Sequence, residues 1–227
     1  MSSTAAAIPA QLPLAKPTTN TARTVVNVAW MSILLGVTLE LFLLLIAAGS
    51  GPLVKLQPFA ADLVQKITWA SMVCIGLALG NSAAKLRPHL TGFLGFLSAP
   101  LGFATARALH KSTEKALGLV GAAVAAGPSP WFLAGVKAAE YAALGLIIGW
   151  LAKKEAGILP YLTAGLGVGI VFGGTILGAM DWYSPKGLGG PALLSRAVNE
   201  FLFPMGCSVI LFAAENLSKK LTVPAAA

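Results

Sequence analysis

The stretch WFLAGVKAAEYAALGLIIGWLA, residues 131–152, decides the fold. At about 1.5 Å of rise per residue it is long enough to cross a hydrocarbon core of about 30 Å, which takes about 20 helical residues. Its apolar positions run on without the two-residue alternation of a membrane β-strand, so helix is the reading. Trp131 and Trp150 bracket it, as amphipathic rings do at the two membrane interfaces. Lys137 and Glu140 both fall in its first half, and no charge follows until Lys153.

Working outward, residues 25–48, 59–84, 90–109, 158–180 and 192–214 form five more such stretches. The whole chain is 56% apolar and 11% charged, with a mean hydropathy of +0.79. That composition excludes an ordinary soluble domain. The expected fold class is all-α: a polytopic transmembrane helical bundle of about six spans. The expected organisation is a disordered cytoplasmic tail over 1–23, one helical domain over 24–218 and a short tail over 219–227. The first segment is rich in Ala, Ser, Thr and Pro and lacks the charged start and apolar middle of a signal peptide. Residues 115–127, flanked by Lys111, Glu114, Lys115, Pro128 and Pro130, are too few to span and read as a short interfacial or re-entrant helix.

Orientation follows from basic residues near the span ends, which favour the cytoplasmic side. The tails and even-numbered loops carry Lys16, Arg23, Lys85, Arg87, Lys153, Lys154, Lys219 and Lys220. The opposite face carries Lys55, Lys111, Lys115 and Lys186, with the acids Asp62, Glu114 and Asp181. Both termini are therefore expected in the cytoplasm, with a bacterial plasma membrane as the default. The formal net charge of +8 is then mainly a topology signal. With no clustered basic face carrying stacking aromatics, nucleic acid is excluded as a partner.

Seven charges lie inside the spans: Glu40, Lys66, Arg107, Lys137, Glu140, Arg196 and Glu200. Counted along their helices, most sit on the order of 6–15 Å below the outer surface, with Arg107 shallower. The inner halves of the six stretches hold no Asp, Glu, Lys or Arg. A charge near mid-bilayer costs at least about 2.5 kcal/mol, so seven facing lipid is untenable. Spacing pairs Lys137 with Glu140 and Arg196 with Glu200 on shared helix faces. Glu40 and Lys66, at matching depth on adjacent spans, form a third candidate pair. A polar cavity open to the outside accounts for the layer. Ion pairs locking the bundle, with Arg107 and Arg196 snorkelling to the rim, account for it as well.

Gly165, Gly169 and Gly173 repeat every four residues in the fifth span, with Gly174 and Gly178 beyond them. Small residues at that spacing let helix backbones approach closely in lipid. Ala134, Ala138 and Ala142 repeat the idea in the fourth span, and Pro100 and Pro204 are expected to bend theirs. At a shift of 133 residues, Pro52, Pro58, Met72 and Cys74 fall on Pro185, Pro191, Met205 and Cys207. This raises a parallel repeat of 24–87 and 157–221. The two cysteines read as small apolar packing residues in the uncharged region, with a sulfur-relay site as the alternative if they face each other.

No metal-ligand spacing, phosphate-binding loop or cofactor motif is present, so neither metal nor cofactor is expected. Three functions fit. The first is a small transporter or channel whose charged vestibule opens to the non-cytoplasmic side, its acids handling protons or cations and its bases taking anionic groups. The second is a non-catalytic subunit of a larger membrane complex. The third is an intramembrane lipid-modifying enzyme using His110 with Glu140 or Glu200. The expected partners are the lipid bilayer, and other membrane subunits or a second copy of the chain.

Overall fold

The computed structural model describes residues 19–49, 56–82, 86–119, 127–184 and 189–220. They form α1 (Thr19–Gly49), α2 (Leu56–Asn81), α3 (Arg87–Ala116), α4 (Pro130–Lys153), α5 (Ile158–Val168), α6 (Gly174–Tyr183) and α7 (Gly190–Lys220), with no strand among the described residues. Between α5 and α6 the helix widens into a π-turn, Gly169–Gly173, so that Ile158–Tyr183 is one continuous span. Among the described residues six helices are thus long and apolar enough to cross a membrane, and the chain is a multi-pass helical bundle.

Helix ends follow local chemistry. Pro130 sits in the first turn of α4, where its missing N–H costs nothing, and Ser129 caps that turn by accepting from Phe132 N–H. The chain leaves α3 through Gly118, whose φ of +70° is a left-handed conformation that glycine adopts without strain. Residues 115–116 belong to α3, and the rest of the expected short helix falls largely on 120–126, outside the described residues. At the other end of the chain α1 already includes Thr19, and α7 runs on to Lys220.

Consecutive spans are neighbours around a ring, and α7 closes it against α1. Contacts across the middle come from α2, α4 and α7, which makes these three the central helices. The outer faces carry Trp30, Phe42, Leu45, Phe93, Leu101, Ile170 and Val171, exposed as lipid-facing side chains are. The crossing of α3 on α4 is backbone-close: a Cβ on Gly145 would lie 2.9 Å from Gly92 Cα, and one on Gly149 would lie 2.6 Å from Pro88 Cα. Of the expected α4 alanines, Ala142 takes part, its carbonyl 3.1 Å from a Cβ on Gly92, together with Gly145 and Gly149.

Gly165, Gly169 and Gly173 all face α7 around Pro204. A Cβ at Gly169 would lie 2.8 Å from Phe201 O, and one at Gly173 would lie 2.7 Å from Glu200 Cβ. Gly174 and Gly178 have open space instead, so the packing stripe ends at Gly173. A period of four runs about 40° ahead per repeat on an α-helix. The π-turn, closed five residues apart, turns less per residue, takes up that lead and keeps the three glycines on one line.

Candidate functional site

Fifteen residues before the end of α2, and at matching heights on the other spans, the bundle opens into a cavity of 740 Å³. Every span contributes: Glu40 and Leu44 from α1, Asp62 and Lys66 from α2, Phe103 from α3, Lys137 from α4, Met180 from α6, and Arg196, Asn199 and Glu200 from α7. Five of the seven intramembrane charges, Glu40, Lys66, Lys137, Arg196 and Glu200, therefore line one space. Glu140 lies behind that wall, fully buried, and Arg107 is half-buried on α3 away from the lining.

The pairing differs in part from the spacing argument. Lys137 donates to Glu140 Oε2 at 2.7 Å, as the three-residue spacing predicts, and also to Glu200 across the bundle, which ties α4 to α7. Glu200 is thereby taken from Arg196, whose guanidinium meets the thioether of Met180 at 2.9 Å. Glu40 and Lys66, expected to pair, make no direct ion pair among the described residues, though each charge still acts on the other. The Lys66 ammonium donates to the side-chain oxygen of Asn199, and Glu40 makes no ion pair or hydrogen bond among the described residues, although it is only 6% exposed. Asn199, missed because an amide carries no charge, turns out to bridge the site: its amide nitrogen lies 3.5 Å from Glu200 Oε1.

Aromatic rings pack on the deeper side of the charged layer. Trp69 of α2, Tyr141 of α4 and Phe203 of α7 pack on one another with centroids 5.6, 5.9 and 6.4 Å apart, and Phe103 stands edge-on to Trp69 at 6.5 Å. The Lys137 ammonium lies 6.0 Å from the Trp69 ring and 5.9 Å from the Tyr141 ring, so the charged layer rests on this floor. Each ring comes three or one residues after a charged residue on its helix: Trp69 after Lys66, Tyr141 after Glu140, Phe203 after Glu200. Beneath it Cys74 and Cys207, both fully buried, face each other.

At the rim, His110 Nε2 meets Asp62 at 3.0 Å and its Nδ1 meets Glu114 at 3.6 Å. The imidazole thus joins α3 to α2 and is not brought to Glu140 or Glu200. At the opposite end of the bundle a second polar group forms where the sequence offered no in-span charge. Glu215 of α7 accepts from Arg87 at 3.2 Å and from Asn81 at 3.2 Å. It also borders a smaller cavity of 250 Å³ with Glu155, Tyr161, Phe212 and Asn216.

Among the described residues no group of three or more metal-ligating side chains comes together. What the main cavity offers chemically is a set of fixed charges in a confined space. Among the described residues, one ammonium is neutralised twice, one ammonium is held by an amide, and one guanidinium and one carboxylate make no ion pair. Comparison with protein-family models, curated proteins and solved structures returned no match to this chain.

Proposed function

We propose that the chain is a small membrane transporter or channel whose charged vestibule opens to the non-cytoplasmic side of a bacterial plasma membrane. The observation that carries this reading is Glu40: a carboxylate that is 6% exposed, has no ionic partner among the described residues, and faces a 740 Å³ cavity. Burying a charge without a partner is costly, and a group kept only for structure is expected to be paired. Water in the cavity, or a solute, relieves that cost.

Lys66 and Arg196, which make no direct ion pair among the described residues, suit a solute carrying a negative group, and Glu40 suits a proton or a cation accompanying it. The smaller cavity beside Glu215 is the matching half-site on the cytoplasmic side. Both cavities border α7, through Arg196 to Glu200 above and Phe212 to Asn216 below. Pro204 lies between them, where its ring removes the bond to the Glu200 carbonyl, and it packs on the glycine face of the fifth span. Rocking of α7 on that smooth face supplies the exchange of access between the two sides.

The test introduces single cysteines at Leu44, Ser195 and Asn199 in a Cys74→Ala/Cys207→Ala background, with Ser208 as the sealed control. A membrane-impermeant charged thiol reagent is added from either side of intact membranes. Labelling of the three cavity positions from the outside, with Ser208 silent, is the expected result. Silence at all three overturns the vestibule and turns the search to whatever co-purifies with the chain.

A further inference from the structure

The two cysteines of the chain lie on different central helices, and their sulfurs meet at 3.0 Å as free thiols, Cys74 on α2 and Cys207 on α7. Each lies about one turn below the aromatic floor, Cys74 after Trp69 and Cys207 after Phe203. Filling space at this crossing requires no sulfur, since Ala70, Val73 and Ala214 are equally buried on the same two helices. A covalent sulfur–sulfur bond is about 2.0 Å long, so an approach of about 1 Å brings the two atoms to bonding distance.

We propose that Cys74 and Cys207 are a redox-active dithiol, oxidised by hydrogen peroxide to a disulfide that cross-links α2 to α7 beneath the cavity. The oxidant class follows from the surroundings. Complete burial excludes bulky reagents, and an apolar site excludes charged ones, whereas hydrogen peroxide is neutral and close to water in size. One thiol sulfur attacks a peroxide oxygen, the O–O bond breaks, and the departing oxygen leaves as water with that thiol's proton, giving a sulfenic acid. The second sulfur attacks the first, the S–O bond breaks, and a second water leaves with the remaining thiol proton. Two thiols and one peroxide thus give one disulfide and two waters. The first step is slow because peroxide must reach a fully buried pair. The second is fast because the partner is already in contact.

The cross-link joins the helix that carries Lys66 to the helix that carries Asn199 and Glu200. Oxidation therefore fixes the two sides of the cavity floor to each other. The dithiol stands on the sulfur contact alone and holds whether or not the cavity carries a solute.

The test uses the full chain, reduced and reconstituted in lipid nanodiscs, then exposed to hydrogen peroxide, denatured, blocked with N-ethylmaleimide and digested. The expected result is a linked peptide containing Cys74 and Cys207, loss of maleimide adducts at both positions, and their return after dithiothreitol. In a companion melt, peroxide raises the melting temperature of the native sequence and leaves that of Cys207→Ala unchanged. Recovery of both cysteines as free thiols overturns the proposal. So does oxidation of each to a sulfinic acid without the linked peptide.

Discussion

The Lys137 ammonium sits 2.7 Å from Glu140 Oε2, one turn along α4, and the acid it meets has no exposed surface at all. Because the same ammonium also holds Glu200, deleting the base strands two acids at once. Lys137→Met is expected to lose about 3–5 kcal/mol of stability, the range for breaking a buried pair from one side. The variant Lys137→Met/Glu140→Gln/Glu200→Gln is expected to regain much of that loss. Reversible unfolding in mixed micelles measures both, and a triple variant no better than the single one refutes the network.

Glu40 provides the contrast. Since it has no ionic partner among the described residues and faces the cavity, Glu40→Gln is expected to change stability by less than about 0.5 kcal/mol. Glu140→Gln, which weakens a charge-assisted bond inside the wall, is expected to cost about 1.5–3 kcal/mol. Equal losses at the two positions in the same unfolding assay contradict a solvated carboxylate at one and a sealed carboxylate at the other.

The glycine face of the fifth span makes a prediction that composition alone does not. Gly169→Ala pushes a methyl to 2.8 Å from the Phe201 carbonyl and is expected to cost about 1–3 kcal/mol. Gly178→Ala, equally a helical glycine but with open space around it, is expected to be neutral or slightly stabilising through helix propensity. Paired melts of the two variants check the claim.

At the other end, Glu215 holds both Arg87 and Asn81 while only 14% of its side chain is exposed. Glu215→Gln is expected to lower stability by about 1.5–3 kcal/mol, and added salt should reproduce little of that effect because so sheltered a pair is weakly screened. A loss in the native protein that grows steeply with salt points instead to an exposed surface contact.

The span count and the charged layer were legible because a membrane makes them so: every backbone group must be satisfied inside a helix, and each intramembrane charge stands out against an apolar background. Lys137 with Glu140 could be paired from spacing within one helix. Partners on different helices could not, which is why Glu200 was assigned to Arg196 and Lys66 to Glu40. Asn199 escaped notice because an amide costs little to bury once bonded and leaves no mark in a charge count. The aromatic floor was equally hidden, as Trp69, Tyr141 and Phe203 each look like ordinary apolar filling until three helices converge on them. Facing of the two thiols depended on the rotation of α2 against α7, which periodicity in one helix does not specify.

The π-turn at Gly169–Gly173 has the geometry of a single residue inserted into an otherwise regular helix. Forcing the same residues into regular α-helix, with none deleted, would swing everything downstream by roughly the 100° of one residue's step about the axis. Ile176 and Met180, which now border the cavity, would turn away from it, and Arg196 would lose the sulfur it touches. A chain in which substitutions tightened that turn would keep its six spans and its hydropathy profile almost unchanged, so an evolutionary variant could lose one wall of the vestibule without leaving any trace in composition.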